Sequence, residues 1–356
     1  MTERDFELSR RDLLRYAAQG AALLGTGGLL GACSSSGTSI NSTTTSTTPR
    51  LTLGGTLQAG LSGGSSSDTL DPHNWVNLVD GARVYSLFNP LVDFDLEAHP
   101  VLSLADEMTP SSDAMRWTIR VKPDIEFHNS KTLGADDVLY TFQRIVDPRA
   151  PALGATSLKA LDVANAKKID KRTIQIPCLT PFSPLKDILA SYDFFVVPVG
   201  FDVKNPIGTG PFEYESFTAG QQSTFVKNRN YWESGLPYID TLVINDLPDE
   251  ISQVNGLGSG TLDVIDFLSA DSIGPVRAGG GSVIITRGGA YTPFTMRVDQ
   301  APFNDVRVRQ AFRLMCDRQE MLDTVFSGNG KIGNDVFGPW DVAYDDALTQ
   351  RVQDID

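Results

Sequence analysis

Between Arg15 and Arg50 the chain carries no charged residue. In a sequence that is otherwise 21% charged, that gap limits what can fold. Its first half, Tyr16 to Ala32, is only moderately apolar, diluted by glycines and Gln19. A run of this length is short for the ~30 Å of a bilayer's hydrocarbon and suits the apolar stretch of an export signal. Its second half, residues 34–49, holds 12 Ser or Thr among 16 residues, with Ile40 the one core former. That is the composition of a flexible tether, with a reach of roughly 20–25 Å. Neither half can supply a core, so the fold must be built from the residues after Arg50.

Two motifs bracket the first half. Ser9-Arg10-Arg11-Asp12-Leu13-Leu14 resembles the twin-arginine export signal, with Leu13 where Phe is usual. Leu30-Gly31-Ala32-Cys33 resembles a bacterial lipobox, which makes Cys33 the lipidated first residue of the mature chain. Their order and spacing predict a signal peptide with lipobox over 1–33 and a tether over 34–50. The folded part is then held by lipid at the outer side of the cell membrane, in the periplasmic space. An uncleaved anchor with a chance cysteine is the plainer alternative.

The 30 basic and 44 acidic residues give a net charge of −14. This argues against nucleic acid as a partner, because such binding rests on Lys and Arg neutralising phosphates. Three cysteines are too few for a disulfide framework. With Cys33 assigned to lipid, Cys178 and Cys316 either pair or remain free thiols. His73, His99 and His128 are far apart, without the short spacings of a metal site, so no metal or cofactor is expected. Gly60-Leu61-Ser62-Gly63-Gly64 fits the nucleophile-elbow pattern, which requires a helix at once after the serine. Here Ser65-Ser66-Ser67-Asp68 continues a loop, so a secreted hydrolase using Ser62 stands only as an alternative. Gly256-Leu257-Gly258-Ser259-Gly260 lacks the last glycine of a dinucleotide fingerprint. Asp136 and Asp137 read as helix-start charges. No catalytic set remains, and a binding protein rather than an enzyme is expected.

Along the mature chain, a first strand is expected over Leu51–Ala59 and a helix over Asp80–Phe88. The alternation in Arg116-Trp117-Thr118-Ile119-Arg120-Val121 predicts a half-buried strand. Val138, Leu139, Phe142, Ile145 and Val146 form the apolar stripe of a helix over Ala135–Val146. Short strands are expected at 173–176, 194–199, 212–217, 224–227, 241–244 and 262–267, with a helix near 250–257. Residues 283–286 and 293–298 read as extended. One helix is expected over Asp305–Phe326, with Asn304 as its N-cap and Gly328 at its stop. The mixture indicates a mixed α/β sheet protein.

Several blocks share an order found in one family. Gly55-Thr56-Leu57, Thr69-Leu70-Asp71-Pro72-His73 and Tyr85-Ser86-Leu87-Phe88-Asn89-Pro90-Leu91-Val92 open the series. Trp117 to Lys122, Ile125 to Asn129, Ala135 to Phe142 and Asp147-Pro148 follow. Asn205-Pro206-Ile207-Gly208-Thr209-Gly210-Pro211-Phe212, Asn228-Arg229-Asn230-Tyr231-Trp232 and Pro302 to Ala311 complete it. Together they resemble the bacterial extracellular solute-binding proteins of family 5, the peptide-, dipeptide- and nickel-binding lipoproteins of ABC importers.

The resemblance implies an α/β, two-lobed periplasmic-binding-protein fold (type II, mixed sheets) that closes on a solute between its lobes. It places lobe one at 51–286, with an inserted subdomain at about 89–197, and the start of an incomplete lobe two at 287–356. Family members are longer than this chain, so a C-terminal truncation, and with it a non-functional fragment, is one expectation. The acidic residue that pairs with the ligand's amino terminus in peptide-binding members falls in the part beyond, and no residue here is assigned that role. The expected solute is an oligopeptide, with an oligosaccharide, an opine or a nickel chelate as alternatives. The expected partners are the permease subunits, with the protein itself monomeric. On the family pattern the loop Trp75, Val76, Asn77 and Leu78 faces the ligand, and Leu153 and Gly154 border the same cleft. Core packing is the plainer reading of Trp75 and Leu78. The Gly208-Thr209-Gly210-Pro211 block reads as a structural turn.

Overall fold

Leu57 and Ala59 are buried while Thr56 and Gln58 are not, and this alternation makes the first strand one face of a core. In the computed structural model, residues 53–95, 99–285, 295–333, 338–339 and 344–355 are described. Arg10, Arg11, Cys33 and the tether lie outside them. The elements in chain order are β1 (Thr56–Leu61), α1 (Leu78–Leu87), β2 (Val92–Phe94), β3 (Pro100–Leu102), β4 (Ala105–Pro110), β5 (Arg116–Val121), α2 (Ala135–Ile145), β6 (Lys167–Lys168), β7 (Thr173–Pro177) and α3 (Leu185–Leu189). Then come β8 (Phe212–Thr218), β9 (Gln222–Lys227), β10 (Thr241–Asp246), α4 (Glu250–Ser259), β11 (Val264–Ile265), α5 (Ala270–Ala278), α6 (Val306–Met315) and α7 (Arg318–Phe326). Two short 3-10 turns, Leu153–Leu158 and Val163–Asn165, follow α2.

The chain divides into two compact units. One comprises the described residues up to Asp93 together with Leu102–Asp266; the other comprises Phe94–Val101 and the described residues from Phe267 onward. The first unit holds two sheets. Five strands run in the order β11-β1-β10-β9-β8, with β1 parallel to both of its neighbours and the remaining pairs antiparallel. Four strands form a second, antiparallel sheet in the order β4-β5-β7-β6.

Each sheet has its own core. Leu57, Ala59, Val84, Leu87, Phe88, Phe212, Phe225 and Ile244 gather between the five-stranded sheet and α1. Trp117, Ile119, Val121, Phe127, Val138, Phe142, Ile174 and Ile176 gather around the four-stranded sheet and α2. The second core draws only on residues between Leu91 and Val196, apart from partners packed at its margin.

The segment Phe194–Val197 belongs to both cores. Phe194 and Val196 enter the second, while Phe195 and Val197 enter the first. That is the two-residue period of an extended chain, and a strand is the expectation there. Only one bridge forms, Phe195 with Pro90. The other backbone groups are met locally: Val196 N donates to Asn89 O, Val197 N to Thr141 Oγ1 and Val199 N to Asp137 Oδ1, at 2.9–3.1 Å. His73 Nε2 donates to Phe195 O at 2.8 Å. Buried backbone groups must find partners, and here side chains replace a neighbouring strand.

In the second unit, the helix expected over Asp305–Phe326 is two helices. Cys316 and Asp317 adopt extended ψ values, and Asp317 accepts from Glu320 N to cap α7. A side chain that caps a new helix competes with continuation of the old one. Asp305, not Asn304, caps α6. Residues 283–285 and 295–298 form no strand. The remainder of those expected extended stretches lies outside the described residues.

Candidate ligand-binding site

The loop between β1 and α1 is anchored at both ends. At the first end, Asp71 accepts from Arg144 Nη2 at 2.7 Å, and Arg144 Nη1 donates to His73 Nδ1. With Nδ1 accepting and Nε2 bound to Phe195 O, the His73 ring is held as its neutral Nε2–H form. Burial pushes its pKa down to about 4, with the Arg144 charge adding to the effect. Burial alone would raise the Asp71 carboxyl, but hydrogen bonds from Arg144, Asn74 and the His73 N–H outweigh it and hold it below its usual value.

At the second end, Asn77 is the N-cap of α1. Its Oδ1 accepts from Asp80 N at 2.7 Å, and its Nδ2 donates to Asp68 Oδ1 at 3.2 Å. Asp68 belongs to a buried cluster around Arg83, which also pairs with Asp80 and Asp246 and donates to Ser223 Oγ. Burial raises Asp80 and Asp246 despite Arg83. Burial also acts to raise Asp68, but there the bonds from Arg83, Gly220 N–H and Ser65 prevail and lower it. Three carboxylates on one guanidinium explain why they do not all share the same shift.

Between these anchors Trp75 is 9% exposed. Its ring covers Gly81, where a Cβ would lie 2.6 Å from the indole. Its Nε1 donates to Tyr192 O at 3.1 Å, and the two rings lie 5.2 Å apart. Gly154 is buried against the Phe194 ring, and Leu153 N donates to His73 O at 3.3 Å. The loops 75–78 and 153–154 are therefore tied together through His73, Tyr192 and Phe194. Trp75, Asn77 and Gly154 are committed to packing and capping, which leaves the outward side chains: Val76 is 81% exposed, Leu78 71%, Leu153 49% and Tyr192 56%. Burying such side chains against a ligand is favourable at about 1.5–3 kcal/mol each.

The Gly208-Thr209-Gly210 turn is clamped to the end of α1. A Cβ on Gly208 would stand 1.9 Å from Leu87 O, and one on Gly210 2.4 Å from Leu87 C. His128 holds the same turn: its Nδ1 accepts from Gly208 N, its Nε2 donates to Gly210 O, and burial pushes its pKa to about 4. Ser62 Oγ donates to Asp266 Oδ1 at 2.9 Å and accepts from Gln253 Nε2 at 3.0 Å. The third imidazole, His99, pairs with Asp95. Cys178 and Cys316 are both free.

The family model for bacterial extracellular solute-binding proteins, family 5 (middle) matches residues 99–356. The chain belongs to this family. Family 5 relatives include the heme-binding protein A of Haemophilus influenzae, 27% identical over 306 residues, 75% of this chain and 54% of that protein. A glutathione-binding protein of Pectobacterium atrosepticum is 25% identical over 313 residues, 81% of this chain and 59% of that protein. The oligopeptide-binding protein of Bacillus subtilis, solved in complex with a nonapeptide, superposes with a TM-score of 0.72 at 19% identity, covering 85% of this chain and 62% of that one. The mixed α/β fold expected from the motifs is the one shared with these solute-binding proteins. The chain spans between half and two thirds of the length of these relatives.

Within this family 5 chain, reasoning from sequence did not find Tyr192 or Asp193. Tyr192 stands between two polar residues in a turn, and no local pattern marks it. Its role comes from Trp75, more than a hundred residues away.

Proposed function

We propose that this chain captures a solute for an ABC importer, and that the solute is an oligopeptide. The observation that carries this reading is the apolar rim of Val76, Leu78, Leu153 and Tyr192. These large side chains are held outward by a buried frame of ion pairs and caps. A rigid frame presenting uncovered apolar groups suits binding without covalent chemistry. The likeness to a solved oligopeptide-binding protein supports a peptide ligand, and an extended peptide is held by main-chain hydrogen bonds while its side chains fill adaptable pockets. Ser62 is engaged with Asp266 and Gln253, and among the described residues its hydroxyl makes no hydrogen bond with an imidazole.

In this reading Arg10 and Arg11 direct export by the twin-arginine route, and Cys33 carries the lipid that holds the protein at the outer side of the membrane. Residues 34–50 form the tether, 51–286 lobe one with its insertion at about 89–197, and 287–356 the beginning of lobe two. The protein works as a monomer and hands its solute to the permease subunits. Thermal unfolding of the full chain with peptides, oligosaccharides, opines, nickel chelates, heme and glutathione tests the proposal. A bound solute adds about 2.7 kcal/mol at 100 times its Kd, so peptides raise Tm. Stabilisation by another class alone replaces the peptide reading, and stabilisation by none removes it.

A further inference from the structure

Asp193 stands where the two rim segments meet. A Cβ on Gly154 would lie 3.0 Å from Asp193 Cβ, and the preceding residue, Tyr192, supplies both the ring against Trp75 and the carbonyl that accepts its indole N–H. The residue is half-buried. Its Oδ1 is closed off from solvent and accepts no hydrogen bond among the described residues, and burial pushes the carboxyl pKa up.

Other buried carboxylates of this unit are matched by cations. Asp68, Asp80 and Asp246 hold Arg83, Asp71 holds Arg144, and Asp137 holds Lys131. Asp193 has no such partner within the described chain. An unpaired carboxylate removed from water is unfavourable, and an incoming cation offsets that cost. The large side chains left open on the two loops tied together here are Val76, Leu78, Leu153 and Tyr192, which suits a cation carried on a molecule with apolar surface.

Resting on the ligand-capturing reading, we propose that Asp193 is the charge-recognition residue of the rim. The captured solute carries a cationic side chain, ammonium or guanidinium, to Asp193 and lays apolar groups on Val76, Leu78 and Leu153. Solutes whose charge is mainly anionic are disfavoured at this position.

The test is calorimetric titration of the full chain at pH 7 with two tripeptides, Leu-Lys-Leu and Leu-norleucine-Leu, which differ by one ammonium group. The wild-type chain is expected to prefer the lysine peptide at least 10-fold. Asp193→Asn, close in size and shape, is expected to erase the preference by weakening that peptide alone. A preference that survives Asp193→Asn, an equal loss for both peptides, or no preference in the wild-type chain overturns the assignment. Leu78→Ser separates the underlying reading: weakening of both peptides keeps the rim as the site, whereas unchanged binding of both removes the rim and Asp193 with it. A wild-type chain that takes neither peptide overturns the Asp193 assignment, and the wider solute panel then judges the capture reading on its own.

Discussion

Arg144 Nη2 donates to Asp71 Oδ2 across 2.7 Å, joining the last turn of α2 to the loop that carries Trp75, Val76 and Leu78. The same guanidinium engages His73 and lies 5.2 Å from the Phe201 ring centroid. One side chain thus ties α2 to the Asp71–His73 end of the loop.

Arg144→Ala is therefore expected to destabilise the chain by about 2–4 kcal/mol, since it leaves a mostly buried carboxylate without its cation. Urea unfolding measures this. A change below about 0.5 kcal/mol, the range of ordinary surface substitutions, would show that the pair contributes nothing to holding the loop.

Acid should weaken the fold through two histidines. Both His73 and His128 have folded values near 4, below the ordinary 6.5. The unfolded chain takes up protons as pH falls through about 6.5, while the folded chain does not until about 4. Stability is thus lost across that window and retained above it. Asp71, held below its usual value, adds a further loss at lower pH. Melting temperature should fall from pH 7 to pH 4.5, and His73→Gln or His128→Gln should flatten the slope. An imidazole of either residue titrating near 6.5 in the folded protein contradicts this account.

Two glycine substitutions should have opposite effects. Gly208→Ala places a methyl group 1.9 Å from Leu87 O, and backbone cannot yield as a side chain can. A loss of about 3 kcal/mol or more is expected. Gly258 lies exposed in α4 with nothing within 4 Å of an added Cβ, so Gly258→Ala should stabilise by about 0.5–1 kcal/mol. Denaturant midpoints compare the pair directly.

Asp193→Asn should raise the stability of the unliganded chain at pH 7. A carboxyl whose folded value is raised favours folding while protonated and loses that contribution as pH rises through the folded value. The variant's advantage should therefore disappear near pH 3. Equal melting temperatures at both pH values would mean that burial imposes no charge cost on Asp193.

Much of the fold was readable from local pattern. The strand Arg116–Val121 matches its alternation, and α2 matches its apolar stripe to within a residue. The segment 194–199 also alternates, yet it forms no strand, because its alternation serves two cores and its hydrogen bonds end on Thr141 and Asp137. The break at Cys316–Asp317 was hidden because continuous apolar spacing on both sides outweighed one capping aspartate. The family pattern singled out Val76, Leu78 and Leu153 as candidates. Tyr192 and Asp193 did not, since only tertiary packing against Trp75 and Gly154 brings them to the rim.

The most direct test replaces Val76 and Leu78 together with serine and titrates the variant with an oligopeptide that stabilises the wild-type chain. Both side chains are largely exposed, so the unliganded melting temperature should stay unchanged. Affinity should fall roughly 10- to 100-fold, from the loss of two apolar contacts. Unchanged affinity in a folded variant would place the ligand elsewhere and contradict the account.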